Sequence, residues 1–304
     1  MVFCLPDNRY RNRGRGRFGN ADRDKGERSG RGFGGREGMA DRRKRFMQRA
    51  RGGVSTAYTA SAADHSIIQA INSYSEIERI RNTIYERLEE WYGAYFPNIR
   101  LENHDTFAKL VSGVSSREAD DESISDILGG ESHMLIEKIK SSTGFPNMDP
   151  EEHKAMKELA GEMLRLSEVQ KGLDAFLELQ TKKLMPNVVY LIDYKIAAEM
   201  LSKAGSLQRL AMMPASTIQL LGAERALFKH MKYGSRPPKY GFLFKLPELA
   251  TVSKKEKGRM ARIYATKIGI AARADSMTKR FIADVLKQQI EKARKRDSQP
   301  KESG

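Results

Sequence analysis

Residues 213–241 read MPASTIQLLGAERALFKHMKYGSRPPKYG, and this stretch decides the architecture. Ile218, Leu220 and Leu221 give a short helix a side to bury, Pro214 suits its first turn because a missing N–H costs nothing there, and Gly222 closes it. From Ala223 the helical period restarts: Ala226, Leu227 and Met231 are expected inward, with Arg225, Lys229 and Lys232 facing out. Arg236, Pro237, Pro238 and Lys239 then form a stiff extended turn, since each proline fixes its own φ and restricts the residue before it. The stretch reads as a basic helix followed by a rigid ledge of cations.

Upstream lie two long heptad patterns. Ala70, Tyr74, Ile77, Arg81, Ile84, Leu88, Trp91 and Tyr95 recur at steps of four and three within a helix expected over 64–96 and ended by Pro97. A second helix opens with Asp149 as N-cap, Pro150 at its first position and Glu152 placed to complete a capping box. Its seam runs through Met156, Leu159, Met163, Leu166, Gln170, Leu173, Leu177, Gln180 and Leu184. The economical solution packs the two helices antiparallel, folds 98–148 as a helical tip, and leaves the in-seam glutamines to fix register and face a second chain.

Downstream, Val189, Ile192, Ile196, Ala197 and Met200 make an apolar face as far as Gly205, and Leu207, Leu210 and Ala211 continue it to Pro214. FLFKLPEL after the ledge reads as an extended connector. Residues 253–275 form a helix with Met260, Ile263, Ile268, Ile270 and Ala271 inward, and Lys254, Lys255, Lys257, Arg259, Arg262 and Lys267 as a cationic surface. A final helix is expected from about 276 to 296. The fold class is all-α, a long antiparallel coiled coil followed by a compact helical domain, with a disordered Arg/Gly-rich tail. The domain division is 1–60 tail, 64–184 coiled coil, 185–297 compact domain and 298–304 disordered.

Charge is uneven along the chain. Residues 1–53 carry 16 basic and 6 acidic side chains, a net of +10; residues 54–184 carry 14 and 23, a net of −9; residues 185–304 carry 24 and 10, a net of +14. Basic ends around an acidic middle point to a polyanion for the ends. Residues 1–53 interleave arginine with glycine and occasional Phe18 or Phe33, a composition that buries no core and is expected either to bind RNA through phosphate contacts and stacking or to serve as a solubilising tail.

The single cysteine, Cys4, excludes internal disulfides and cysteine-rich zinc sites. No apolar run approaches the ~20 residues of a membrane span, and no secretory signal is read at the N-terminus, so an intracellular protein is expected. The five histidines, His65, His104, His133, His153 and His230, are scattered without metal-ligand spacing. No Walker loop, nucleophile elbow or dinucleotide fingerprint occurs. The reading is a binding protein, not an enzyme, with no cofactor and no metal.

ASTIQLLGAERALFKH (215–230) followed by RPPKYGFLF (236–244) resembles the Nop domain, the recognition module of box C/D ribonucleoprotein scaffolds and of their spliceosomal relative. GRMARIYATKIGIAARADSMT (258–278), EWYGAYFPNI (90–99) and FAKLVSGV (107–114) extend the similarity over roughly 65–295. The resemblance implies a scaffold that recognises a kink-turn RNA already bound by a small protein, in a particle guiding ribose 2′-O-methylation of rRNA or tRNA. The methyl transfer itself belongs to a separate subunit. The family's glycine-alanine-glutamate-lysine motif falls on Gly222, Ala223, Glu224 and Arg225, with Arg in place of Lys, and its loop residue on Lys239. The RNA- and partner-binding set is therefore Gly222, Ala223, Glu224, Arg225, Lys229, His230, Lys232, Arg236, Pro237, Pro238, Lys239, Lys254, Lys255, Arg259 and Arg262. His230 is expected to cap its helix rather than stack on a base.

Related scaffolds pair through their coiled coils, so a homodimer is implied. They also hold the methyltransferase on an N-terminal globular domain in whose place this sequence has only the tail. The spliceosomal relative also lacks that domain, so recruitment of the methyltransferase is expected only if a separate chain supplies the missing piece, the alternative being a truncated gene model. The resemblance implies a cytoplasmic location in an archaeon and a nuclear or nucleolar one in a eukaryote. Alternatives are a spliceosomal-type Nop-domain factor, or a coiled-coil assembly protein that binds nucleic acid without specificity.

Overall fold

The computed structural model describes residues 60–118, 124, 125, 132–254 and 256–298, and among these there is no strand. The Arg/Gly-rich segment 1–59 lies outside the described residues, as do 299–304. Two long helices dominate: α1 (Ala62–Gly93) and α4 (Pro150–Leu184). At 1.5 Å per residue the 35 residues of α4 span about 50 Å.

Helix α1 begins with a capping box. Ser61 Oγ accepts from the Asp64 amide at 3.1 Å, and Asp64 Oδ2 accepts from the Ser61 amide at 2.9 Å. The other Asp64 oxygen accepts from the Leu207 amide at 3.1 Å, tying the start of α1 to the short helices downstream. Trp91 near the end of α1 reaches Glu152 near the start of α4, and Arg81 reaches Gln170, so the two helices run antiparallel.

The seam differs from its heptad reading at the far end. Trp91 is 37% exposed, and Tyr92 is buried in its place. A straight helix of 3.6 residues per turn drifts from a 3.5 repeat, so the inward row slips by one position after several turns. On α4 the buried row is Met156, Ala160, Met163, Ser167, Gln170, Leu177 and Thr181; its small members lack the bulk that marks a heptad in sequence. Glu152 does not close a capping box. Its carboxylate accepts from Trp91 Nε1 and from the Tyr95 hydroxyl, while Asp149 alone caps α4. Those two hydrogen bonds hold the Glu152 carboxyl below the usual range. Helix α1 itself stops at Gly93, short of Pro97.

Two apolar clusters flank a polar layer. The tip cluster joins Leu88, Tyr92 and Phe96 with Phe107, Leu110 and Val111 of α2 (His104–Gly113) and with Met156 and Met163; it also takes Ile139 from α3 (Ser132–Lys140). In the polar layer Arg81 donates to Gln170 Oε1 at 2.5 Å and to Asp105 Oδ1 at 2.6 Å, and Ser167 donates to Asp105 Oδ2 at 2.7 Å. Gln170 therefore meets Arg81 within the chain and does not face outward.

The second cluster runs from Ile67, Ala70, Ile71 and Leu177 at the base of the hairpin through α5 (Pro186–Leu191), α6 (Tyr194–Ala204), α7 (Leu207–Met212), α8 (Ala215–Leu220) and α11 (Lys257–Arg273). The FLFKLPEL segment is helical, not extended: a 3-10 turn over Phe242–Lys245 leads into α10 (Pro247–Ala250). Leu243, Leu246 and Leu249 are buried at a three-residue step, a helical and not an alternating period.

Chain order breaks once more after α11. A π-helical turn, Ala274–Thr278, ends at Lys279 with φ 55°, and α12 (Ala283–Ser298) starts well after the sequence-expected position of 276. The cause is a buried carboxylate. Asp275 accepts from the Asn187 and Val188 amides at 3.1 and 3.0 Å and from Asn187 Nδ2 at 2.7 Å, capping α5. Asn187 in turn donates to the Arg280 carbonyl at 2.9 Å and accepts from the Ile282 amide at 2.7 Å, so the 280–282 backbone is held out of helix.

Candidate nucleic-acid interface

The ledge is built on α8. Ile218 is fully buried and reaches α11 at Gly269, where an added Cβ would meet Ile218 Cδ1 at 3.2 Å. Pro214 stands one position earlier than expected, as the N-cap residue of α8. Gly222 turns the chain with φ +91°, a conformation that favours glycine, and the Phe242 ring lies 2.9 Å from where its Cβ would be.

The returning segment of the loop is fastened to α8 and its C-cap by three hydrogen bonds. Gln219 Nε2 donates to the Lys239 carbonyl at 2.7 Å, the Gly241 amide to the Gln219 carbonyl at 2.9 Å, and the Phe242 amide to the Leu221 carbonyl at 2.8 Å. A Cβ on Gly241 would fall 1.9 Å from the Leu221 oxygen. Gly241→Ala is therefore expected to open this pairing and displace Lys239 while leaving the remaining helices intact. Circular dichroism should be little changed, and an unchanged affinity for RNA partners would show that the pairing does not position the site.

Helix α9 (Glu224–Tyr233) departs from its sequence reading in one respect that matters. None of its residues is buried. Ala226 is exposed, Leu227 is half-buried, and Met231, expected inward, is 40% exposed. Phe228 at 53% and Tyr233 at 69% stand out with it. The helix projects from the body and presents both a cationic and an apolar aspect to solvent. Leu227 and Met231 carry the usual spacing of a packed side, but the body offers this helix nothing to pack against.

Two contacts fix the helix to its loop. Gly234 closes α9 in the left-handed conformation, φ 67°, with its amide on the His230 carbonyl at 2.8 Å. His230 Nδ1–H donates to the Ser235 carbonyl, which makes this ring a link between helix and loop. Glu224 is occupied in the same way: its carboxylate accepts from the Gly222 amide at 2.8 Å. Among the described residues no carboxylate pairs with Arg225, Lys229, Arg236 or Lys239, whereas cations on the hairpin such as Arg79, Arg165 and Lys182 each hold a neighbouring glutamate. Lys232 sits 5.1 Å over the Tyr233 ring. Pro237 is exposed and Pro238 half-buried.

The second basic set is placed apart. Lys254 is exposed on a turn, and Arg259 and Arg262 are exposed on the first two turns of α11. Lys255 lies outside the described residues. From Arg262 to Gly269, where α11 meets the ledge's supporting helix, is about 10 Å along the axis. Sequence reasoning missed the exposed aromatics Phe228, Tyr233 and Phe244 as parts of the surface. Among the described residues no three His, Cys, Asp or Glu side chains gather as metal ligands, and no helix is long and apolar enough to cross a membrane.

A helical hairpin thus leads into a compact helical domain that carries a projecting cationic helix and a proline-stiffened basic loop. The chain belongs to the Nop family: residues 73–296 match the family described as "Nop: snoRNA binding domain, fibrillarin". It is similar to an uncharacterized NOP5 family protein of Methanocaldococcus jannaschii, with 35% identity over 77% of this chain and 57% of that protein. It is also similar to nucleolar protein 58 of Debaryomyces hansenii, 34% identical over 72% of this chain and 43% of the relative. Nucleolar protein 56 of Dictyostelium discoideum is 32% identical over 77% and 45%. The chain thus spans about half the length of the curated relatives it matches. A chain in the crystal structure of a fibrillarin/Nop5p complex aligns over 86% of this chain and 73% of its own length, with a TM-score of 0.48 and 21% identity.

Proposed function

We propose that this protein is a non-catalytic RNA-binding scaffold that recognises a kink-turn RNA already carrying a small protein, and so assembles a box C/D-type particle guiding ribose 2′-O-methylation of rRNA or tRNA. The observation that carries this reading is α9, which buries no side chain and sets unpaired cations beside exposed Phe228, Met231 and Tyr233. Cations at Arg225, Lys229, Arg236 and Lys239 suit phosphate; an apolar aspect on the same helix suits a protein surface. A composite RNA and protein partner uses both. Gly222, Ala223, Glu224, His230, Pro237 and Pro238 serve by shaping the turn and the loop, and Lys254, Arg259 and Arg262 extend the basic surface. Within this reading 64–184 is the coiled-coil domain and 185–297 the Nop domain.

The hairpin is proposed to pair with a second copy. Val169 and Phe176 are one heptad apart on the outer side of α4, Leu179 follows, and all three are exposed. Replacing Val169 and Phe176 with Glu is expected to give a monomer at micromolar concentration by sedimentation while helicity is kept. A strict monomer for the unaltered chain would contradict the pairing. A methyltransferase subunit is a further partner in this reading, and the location is nuclear or nucleolar in a eukaryote or cytoplasmic in an archaeon.

Crosslinking the full chain to RNA in its own cells and sequencing what is bound tests the function. Enrichment of RNAs with kink-turn elements is expected. A sample that mirrors RNA abundance would overturn it in favour of nonspecific binding.

A further inference from the structure

Beside the basic loop lies an open groove of about 480 Å³ lined by Gly222, Ala223, Tyr240, Phe242 and Phe244. Tyr240 and Phe244 are parallel to within 2°, their centroids 5.3 Å apart, and Phe244 is 60% exposed. This geometry is set by the backbone already described. The Phe242 ring is pressed beneath Gly222, and the 3-10 turn over Phe242–Lys245 returns Phe244 to the side of Tyr240.

We infer that the outer face of Phe244 is a stacking site for one unpaired RNA base, which continues the Tyr240–Phe244 stack. The inference rests on the RNA-binding reading and deepens it by assigning the base-contacting group. Two observations choose the occupant. The groove itself carries little free charge, because the Lys245 ammonium is held by both Glu199 oxygens at 2.6 and 2.8 Å, and its rings lie parallel, so the entering group is uncharged and flat. Two lining residues have exposed cations close by in the chain, Lys239 directly before Tyr240 and Arg225 two residues after Ala223, so what enters is joined to an anionic chain. A planar base on a phosphate backbone has both properties, and aromatic faces accept any base by stacking. A proline-rich or aromatic peptide would fill the groove but leaves the flanking cations unexplained.

Phe244→Leu keeps an apolar side chain and removes the ring. Binding of the full chain and this variant should be measured on a box C/D-type kink-turn RNA carrying its small protein, with each unpaired nucleotide made abasic in turn. The variant is expected to bind intact RNA about 5- to 100-fold more weakly. On one abasic RNA the two proteins should bind alike, because the stacked base is already gone. Equal weakening on every abasic RNA, with weaker binding to the small protein alone, would mean that the groove takes a protein segment and would overturn the inference. Unchanged binding on all RNAs would also overturn it while leaving the ledge intact. Failure of the unaltered chain to bind any of the complexes would remove the functional reading and the inference together.

Discussion

Replacing Arg225, Arg236 and Lys239 together with Ala is expected to lower affinity for a kink-turn complex by roughly two orders of magnitude at 0.1 M salt. Each phosphate contact contributes about 0.7 to 0.9 to the slope of log affinity against log salt, which at 0.1 M corresponds to about 5- to 8-fold in affinity. Three lost contacts should therefore reduce the slope by about 2 to 3. These side chains are exposed and no carboxylate among the described residues holds them, so their loss leaves the fold unchanged. The comparison is removal of Lys157, Lys171 and Lys182, which are exposed on α4, far from the ledge in sequence. That variant should change affinity little. If both triple variants behave alike, net charge and not the ledge governs binding.

The largest effect on stability is expected at Asp275. Its carboxylate is buried and accepts two backbone amides and one side-chain amide, donors that lose this acceptor when the carboxylate is removed. A buried unsatisfied donor costs about 1–3 kcal/mol, so Asp275→Ala should destabilise the fold by about 3–5 kcal/mol, against a total stability of order 5–15 kcal/mol. At about 2–4 °C per kcal/mol the midpoint should fall by roughly 10 °C or more. Asp275→Asn should lose less, since one amide oxygen still accepts but its NH2 opposes Asn187 Nδ2. Thermal unfolding followed by circular dichroism checks both, and an unchanged midpoint for the alanine variant would refute the capping role.

The same group links stability to pH. Burial raises the Asp275 pKa above its ordinary value, against the opposing effect of the Asn187 and Val188 hydrogen bonds. The folded state therefore holds this proton to higher pH than the unfolded state, and stability falls as pH rises from about 4 to the folded pKa, then levels off. The alanine variant should lack that slope.

Much of this architecture was legible in sequence because long helices repeat their signal. Arg81 and Gln170 fall in the seam as read, and the structure pairs them across it. Trp91 was misplaced by helical drift alone, and Glu152 because local capping competes with Trp91 and Tyr95, which lie about 60 residues away in sequence. Helix 12 begins late because Asp275 and Asn187 redirect the backbone, and no periodicity encodes that contact. The ledge was legible for its charges: Arg225, Lys229, Arg236 and Lys239 stand unpaired and outward. Its apolar aspect was not, because Leu227 and Met231 carry the usual signal of a packed side while the body offers α9 nothing to pack against. Glu224, placed in the binding set by the resemblance, has its carboxylate taken up by the Gly222 amide, and His230, expected to cap its helix, instead links the helix to the Ser235 carbonyl of the loop.

In the proposed function α9 and its loop read a composite surface of RNA and protein. Equilibrium binding of the full chain to one kink-turn RNA, with and without its small protein, against an unrelated RNA of equal length, tests it most directly. Affinity for the RNA–protein complex should exceed that for either RNA alone by about tenfold or more, as expected when exposed aromatic and apolar groups such as Phe228 and Met231 gain a partner. Equal affinity for the complex, the bare RNA and the unrelated RNA would contradict the account.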